Sequence, residues 1–150
     1  MRIKKQILLL LLICKLIHAQ DNPVLDSLLQ VLKTKKEDTS KVNLLISITE
    51  LCYEDQIKDY ALPAIRLSKK LNYISGEAKA YGNLGFYYTN SGNKDSAEYC
   101  FRRSISVFLN ENNYVGAGEG YNNLGYLLQR INFSQNSNIC FDSSVYFFTL

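Results

Sequence analysis

The stretch Tyr81-Gly82-Asn83-Leu84-Gly85-Phe86-Tyr87-Tyr88 decides the fold that this sequence predicts. Four of its residues are spaced by three, one and three positions, so they share one face of an α-helix. They are Tyr81, Leu84, Gly85 and Tyr88. After a polar break at 90–93, Ala97 and Phe101 are four residues apart and mark the face of a second helix. The small Gly85 and Ala97 allow the two helices to approach closely, so the pattern predicts an antiparallel helical hairpin.

The same pattern recurs with a period of forty residues along the chain. The triplet Asn-Leu-Gly occurs at 83–85 and again at 123–125, each time with a tyrosine two residues before it. Asn43 and Leu44 hold the corresponding positions of an earlier repeat. The repetition predicts an all-α fold, an α-solenoid of antiparallel helical hairpins in which each hairpin packs on the next. The three predicted hairpins are 40–73, 77–109 and 117–150.

The hairpin resembles the tetratricopeptide repeat, with Tyr81 at the position where that repeat has tryptophan. The resemblance covers residues 38–150 and is carried by one set of positions. These are Tyr81, Leu84, Gly85, Tyr88, Ala97, Phe101, Tyr121, Leu124, Gly125 and Phe141. The usual period of that family is about 34 residues, so we expect the additional residues to lengthen the second helix or the exit loop. In the first repeat Leu45 stands where the second has Gly85, which predicts less close packing there.

Repeats with this longer period are similar to the sensory regions of bacterial envelope signalling proteins. In that family the repeats precede a membrane span and a histidine kinase or a DNA-binding output domain. The resemblance implies a non-catalytic module for protein–protein interaction, the sensory N-terminal part of a signal-transduction protein. A free-standing periplasmic or extracellular scaffold is the alternative, and a hydrolytic enzyme is a third hypothesis.

Residues 1–19 have the features of a signal peptide. A basic start precedes an unbroken apolar run, Ile7–Cys14, which is too short for a transmembrane helix of about 20 residues. We expect cleavage after Ala19 and a periplasmic or extracellular protein, or one tethered to a membrane as part of a longer protein. An uncleaved anchor or a buried first helix is the alternative. Residues 20–39 follow as a predicted N-terminal capping helix, and Ser40 as the N-cap of the next helix.

The composition argues against several classes of function. The 150 residues carry a net charge of +3, but four of the 17 basic side chains lie in the leader. Without them the chain has 13 basic and 14 acidic side chains, a net charge of −1. Such a charge is not typical of a nucleic-acid binder. The only histidine, His18, also lies in the leader, and Cys52, Cys100 and Cys140 form no Cys-x-x-Cys pair. We therefore predict no enzyme activity, no metal or other cofactor, and no nucleic-acid partner.

The resemblance also implies a binding groove, because the first helices of successive tetratricopeptide repeats line a concave surface. The helical phase puts on that wall three asparagines forty residues apart, each followed three positions later by an apolar or aromatic residue. They are Asn43, Asn83 and Asn123, with Ile46, Phe86 and Tyr126, and Gln129 and Arg130 lie one turn further along.

Amide side chains both donate and accept hydrogen bonds, so the asparagines can hold the backbone of an extended peptide from a partner protein. The alternative is that they only join neighbouring helices. In repeat proteins that grip a C-terminal carboxylate, lysines recur in this groove, but the corresponding positions here are Val42, Gly82 and Asn122, so a carboxylate clamp is not expected. Lys79 and Arg130 are the only basic candidates on this wall.

The last segment, 145–150, is strongly apolar. A solenoid needs a terminal helix with a polar outer face, because each repeat buries its apolar face on its neighbour. We therefore expect either that the third hairpin is a truncated part of a longer array or that the chain self-associates through its C-terminal apolar helix.

Overall fold

The computed structural model describes residues 22–130 and 134–149. The predicted signal peptide and its cleavage site lie outside the described residues. Within the described ranges the regular structure is entirely helical. The helices are α1 (Pro23–Thr34), α2 (Thr39–Leu51), α3 (Ile57–Lys70), α4 (Ile74–Asn90), α5 (Lys94–Asn110), α6 (Tyr114–Arg130) and α7 (Ser134–Phe148), and Glu54–Gln56 forms a short 3-10 helix before α3.

The helices stack as a solenoid. Each helix packs against the next one along the chain, and α4 also packs against both α2 and α6. Helices α3 and α5 make at most marginal contact with each other in the part of the chain that the structure describes. The first helices of the hairpins therefore form a continuous inner row, whereas the second helices stand apart. The predicted all-α fold, an α-solenoid of helical hairpins, is confirmed.

The forty-residue period corresponds to two helices of equal length. Helices α4 and α5 each have 17 residues and are joined by the turn 91–93, and the exit turn 111–113 is equally short. The sequence predicts that the additional residues lengthen the second helix or the exit loop. In the structure they are not confined to either, because the two helices are equally long and the exit turn is short. Helices α4 and α6 also begin three residues before the predicted hairpins, at Ile74 and Tyr114.

Glycines at the helix crossings explain the close approach of the helices. A Cβ atom added at Gly85 would lie 2.6 Å from the ring of Phe101, and one added at Gly125 would lie 2.7 Å from the ring of Phe141. In the first repeat the large residue, Leu45, is on the first helix and the small one, Ala61, is on the second. Leu45 and Ala61 are both buried there and belong to one core cluster. One large and one small side chain therefore meet in each repeat, on whichever helix carries them.

Asparagine and aspartate side chains define the helix starts. Asp38 accepts a hydrogen bond from the backbone N–H of Lys41 at 3.0 Å and is the N-cap of α2. Ser40, the N-cap that the sequence predicts, instead donates its hydroxyl to the Asp38 carboxylate at 2.5 Å. Asn93 caps α5 by accepting from the N–H of Ser96. These side chains satisfy backbone donors that lack a partner inside the helix.

Part of the apolar surface of α7 packs against the preceding helix, and part of it is exposed. Phe147 stacks on Tyr121, with 5.5 Å between the ring centroids, but Val145, Tyr146 and Phe148 remain exposed. No helix in the described residues is long and apolar enough to cross a membrane.

Candidate functional site

A groove of about 310 Å³ lies on the surface of the inner helix row. Its floor consists of Gly82 together with buried residues of α5 and α6, namely Ser104, Phe108, Gly116 and Gly120. Its walls carry Glu50, Lys79, Asn83, Phe86, Glu119 and Asn123. Three of the floor residues are glycines, and the absence of side chains at these positions leaves the space between the walls open.

Asn83 both lines the groove and joins two helices. Its Nδ2 donates a hydrogen bond to the hydroxyl of Thr49 on α2, and that hydroxyl donates to the carbonyl oxygen of Ile46 at 2.6 Å. One amide hydrogen and the carbonyl oxygen of Asn83 remain available, because a primary amide has two donors and an acceptor. Asn83 is therefore held in a fixed orientation with hydrogen-bonding capacity toward the groove.

The other two asparagines of the predicted ladder differ from Asn83. Asn43 is exposed, accepts a hydrogen bond from the hydroxyl of Tyr73 at 3.0 Å and does not line the groove. Asn123 lines the groove and makes no hydrogen bond through its side chain to the residues that the structure describes. The side chain of Asn43 and one amide hydrogen of Asn83 are thus used in contacts within the fold. The side chain of Asn123 is open to a ligand.

The structure brings Phe86 of α4 into the groove but leaves Tyr126, Gln129 and Arg130 of α6 outside its lining. The Phe86 ring is 37% exposed and packs edge-on against Phe101, with 5.5 Å between the centroids. Tyr126 is exposed on α6 outside the groove lining, with the Arg130 guanidinium 5.9 Å from its ring centroid. Gln129 is exposed beside them and also lies outside the lining.

Ile46, predicted on the groove wall, is buried in the core instead. Helices α2 and α4 pack directly against each other, and this contact covers the position that the helical phase had placed at the wall.

Two acidic groove residues were missed by the sequence reasoning. Glu50 and Glu119 stand on the walls with Lys79, which gives the groove two carboxylates and one ammonium group. None of the three forms an ion pair within the described part of the chain. Lys79 and Glu119 are forty residues apart and each precedes a groove asparagine by four positions. Extending the asparagine pattern back by one helical turn, to the position that Lys79 holds in the second repeat, would have found Glu119.

Burial raises the pKa of the three cysteine thiols that the structure describes. Cys52, Cys100 and Cys140 are free thiols, and the last two are buried. Burial raises the pKa of the Cys100 thiol to about 11, so this group is protonated at neutral pH and is a weak nucleophile. In the described ranges no group of histidine, cysteine, aspartate or glutamate residues could hold a metal ion.

The comparisons with known proteins add no assignment. No protein-family model matches the chain, and no curated protein matches it. The resemblance to the tetratricopeptide repeat thus depends on the residues quoted above.

Proposed function

We propose that this protein is a non-catalytic interaction module of the tetratricopeptide type, whose inner groove binds an extended segment of a partner protein. The observation that carries the proposal is the convergence of Asn83, Asn123 and Phe86 on one open groove, whose wall charges form no ion pair with any residue that the structure describes. The biological setting that we propose is the sensory region of an exported bacterial signal-transduction protein. This setting is supported by the signal-peptide features of residues 1–19 and by the long repeat period.

The groove offers the three kinds of contact that an extended peptide uses. Asn83 and Asn123 present amide groups that can pair with peptide N–H and C=O groups. Phe86 supplies an aromatic surface for an apolar side chain of the peptide. Glu50 and Glu119 outnumber Lys79, so the groove favours a segment that carries a basic side chain.

Gly82 allows this proposal to be tested without disturbing the fold. An added Cβ atom there would have only the hydroxyl of Ser104 within 4 Å, at 3.8 Å. Both Gly82→Ala and Gly82→Gln are therefore compatible with the helix packing, but only the glutamine side chain is long enough to occupy the groove. We expect a peptide selected from a random-sequence display library on the full chain to lose at least about tenfold in affinity for Gly82→Gln, about 1.4 kcal/mol.

Gly82→Ala is the matched control and should retain most of the affinity. Asn123→Ala should also weaken the same peptide, because it removes an amide group from the groove wall. It should leave the fold intact, because the Asn123 side chain makes no hydrogen bond to the residues that the structure describes. Unchanged affinity in both Gly82→Gln and Asn123→Ala, with the helical content intact, would contradict peptide binding in this groove.

A further inference from the structure

A second cavity lies on the opposite face of α4 from the groove. The groove residues of α4 are Lys79, Gly82, Asn83 and Phe86, and the cavity residues are Tyr81, Leu84 and Tyr88. At about 100° per residue these two sets point in opposite directions from the helix axis. The cavity has a volume of about 440 Å³, within the range of about 300–1,000 Å³ that is usual for small-molecule sites.

This cleft lies between α3 and α5, which make at most marginal contact with each other in the described ranges. Leu84, Ile65 and Cys100 are buried at its base. Tyr88 and Tyr99 stand at its sides, and Tyr99 is 59% exposed. The surface is thus a narrow apolar slot with aromatic walls, open to solvent along one side.

The two ends of the cleft carry opposite charge. Lys69 follows the cleft residue Ile65 by one turn of α3, and Arg103 follows Tyr99 by one turn of α5. Both cations lie at the ring of Tyr81, the Lys69 ammonium 5.4 Å and the Arg103 guanidinium 5.7 Å from its centroid. The opposite end is marked by Asp95 in the first turn of α5.

The cationic end has a surplus of positive charge. Glu77 is the shared carboxylate of this cluster, 3.8 Å from the Lys69 ammonium and 3.2 Å from the Arg103 guanidinium. The Lys69 ammonium also donates to the Tyr81 hydroxyl at 3.1 Å, and this hydrogen bond raises the pKa of Lys69. The cluster thus contains two cations and one carboxylate. At the other end, the negative charge of Asp95 is stabilised by the helix dipole at the N-terminus of α5.

We propose that the cleft binds a small amphipathic anion, with its apolar body in the slot and its carboxylate group paired with Lys69 and Arg103. The apolar body gains the hydrophobic contact, and the charge neutralises the surplus at the Tyr81 end. This site is independent of the peptide groove, since the two use opposite faces of α4.

The test compares two probes of equal chain length, decanoate and decanol, by calorimetric titration of the full chain. Decanoate should bind about fivefold or more tightly than decanol, since the side chains of Lys69 and Arg103 are 48% and 42% exposed and such pairs contribute modestly. Lys69→Gln should remove most of that preference and leave the decanol affinity unchanged. Arg102→Gln, a neighbouring cation that pairs with Glu98 at 2.8 Å, is the matched control and should change neither affinity.

Two further variants locate the bound probe. Ser96→Phe should block the slot, and Tyr99→Ala should remove an exposed wall, so each should weaken both probes, whereas Gly82→Gln in the groove should weaken neither. Equal affinity for decanoate and decanol, or no binding of either, would overturn the proposal. The same holds if Lys69→Gln weakens both probes alike, or if Ser96→Phe and Tyr99→Ala both bind as tightly as the unmodified chain.

Discussion

Gly82 and Gly85 are three residues apart on α4 and lie in opposite environments. An added methyl group at Gly85 would meet three ring atoms of Phe101 within 2.9 Å, and Phe101 is itself buried. We expect Gly85→Ala to lower the free energy of unfolding by about 1–3 kcal/mol, the range for overpacking a core. Gly82→Ala should raise it by about 0.5–1 kcal/mol, because alanine favours the helix and has room there. Urea unfolding of the two variants measures both changes, and a similar effect at both glycines would contradict the packing described.

At the scale of single residues, the sequence predicts which helix faces are buried, but it does not predict every contact that these faces make with other helices. The helical spacing identifies the buried face of α4 at Leu84 and Gly85, and that of α5 at Phe101 and the residue four before it, because such spacing is a property of the helix itself. The burial of Ile46 was not predictable in this way, since it depends on how α2 lies against α4. The exchange of large and small residues at Leu45 and Ala61 can be read from the aligned repeats, but that both residues share one core cluster is seen only in the structure.

At the scale of helices, Asp38 makes the start of α2 sensitive to pH. The hydroxyl of Ser40 and the N–H of Lys41 donate to its carboxylate and lower the pKa of Asp38 below its usual value. The stability that this charged cap contributes is present above the unfolded pKa of about 3.9 and is lost as the pH falls through the lower folded pKa.

Asp38→Asn keeps an N-cap acceptor without the titration. We expect the original chain to be the more stable of the two at pH 7, and the difference to vanish in strongly acidic solution. Urea midpoints across the acidic range measure this, and a difference that is independent of pH would refute the contribution of the charge.

The helix starts at Ile74 and Tyr114 show why element boundaries were harder to predict than element types. Gly76 and Gly116 follow these residues by two positions, and a glycine in a sequence usually indicates a break. Here both are buried, and an added Cβ atom would lie 2.5 Å from Tyr73 and from Phe108 respectively. These glycines lie inside a continuous helix and allow a neighbouring ring to pack closely against it. From a single sequence, such a glycine cannot be distinguished from one that marks a turn.

At the scale of the whole molecule, the exposed face of α7 distinguishes the third hairpin from the second in the residues that the structure describes. Val145 and Phe148 are 63% and 52% exposed, whereas their counterparts forty residues earlier, Ile105 and Phe108, are buried against glycines of α6. We expect the chain to self-associate through this face as its concentration rises, and Val145→Lys to reduce the association.

Val115→Lys, at an equally exposed valine on α6, is the control and should leave the association unchanged. Light scattering across a concentration series measures the oligomeric state. A chain that stays monomeric throughout, or an equal effect of both lysines, would rule out association through α7.

The groove is a property of the whole molecule, and this limits what the sequence can predict of it. Its lining comes from α2, α4, α5 and α6. The repeat pattern identified Asn83, Phe86 and Asn123 because they recur at one helical phase. Glu50 was not identified because its counterpart one repeat later is Asn90, so no recurring charge marks the position.

The most direct test of peptide binding in the groove is an NMR titration of the isotope-labelled full chain with a library-selected peptide. We expect the side-chain amide signals of Asn83 and Asn123 and the backbone signals of Gly82 and Gly120 to shift, while Tyr99 in the opposite cleft does not. Shifts confined to the cleft or to α7, with these four residues unchanged, would show that the groove is not the peptide site.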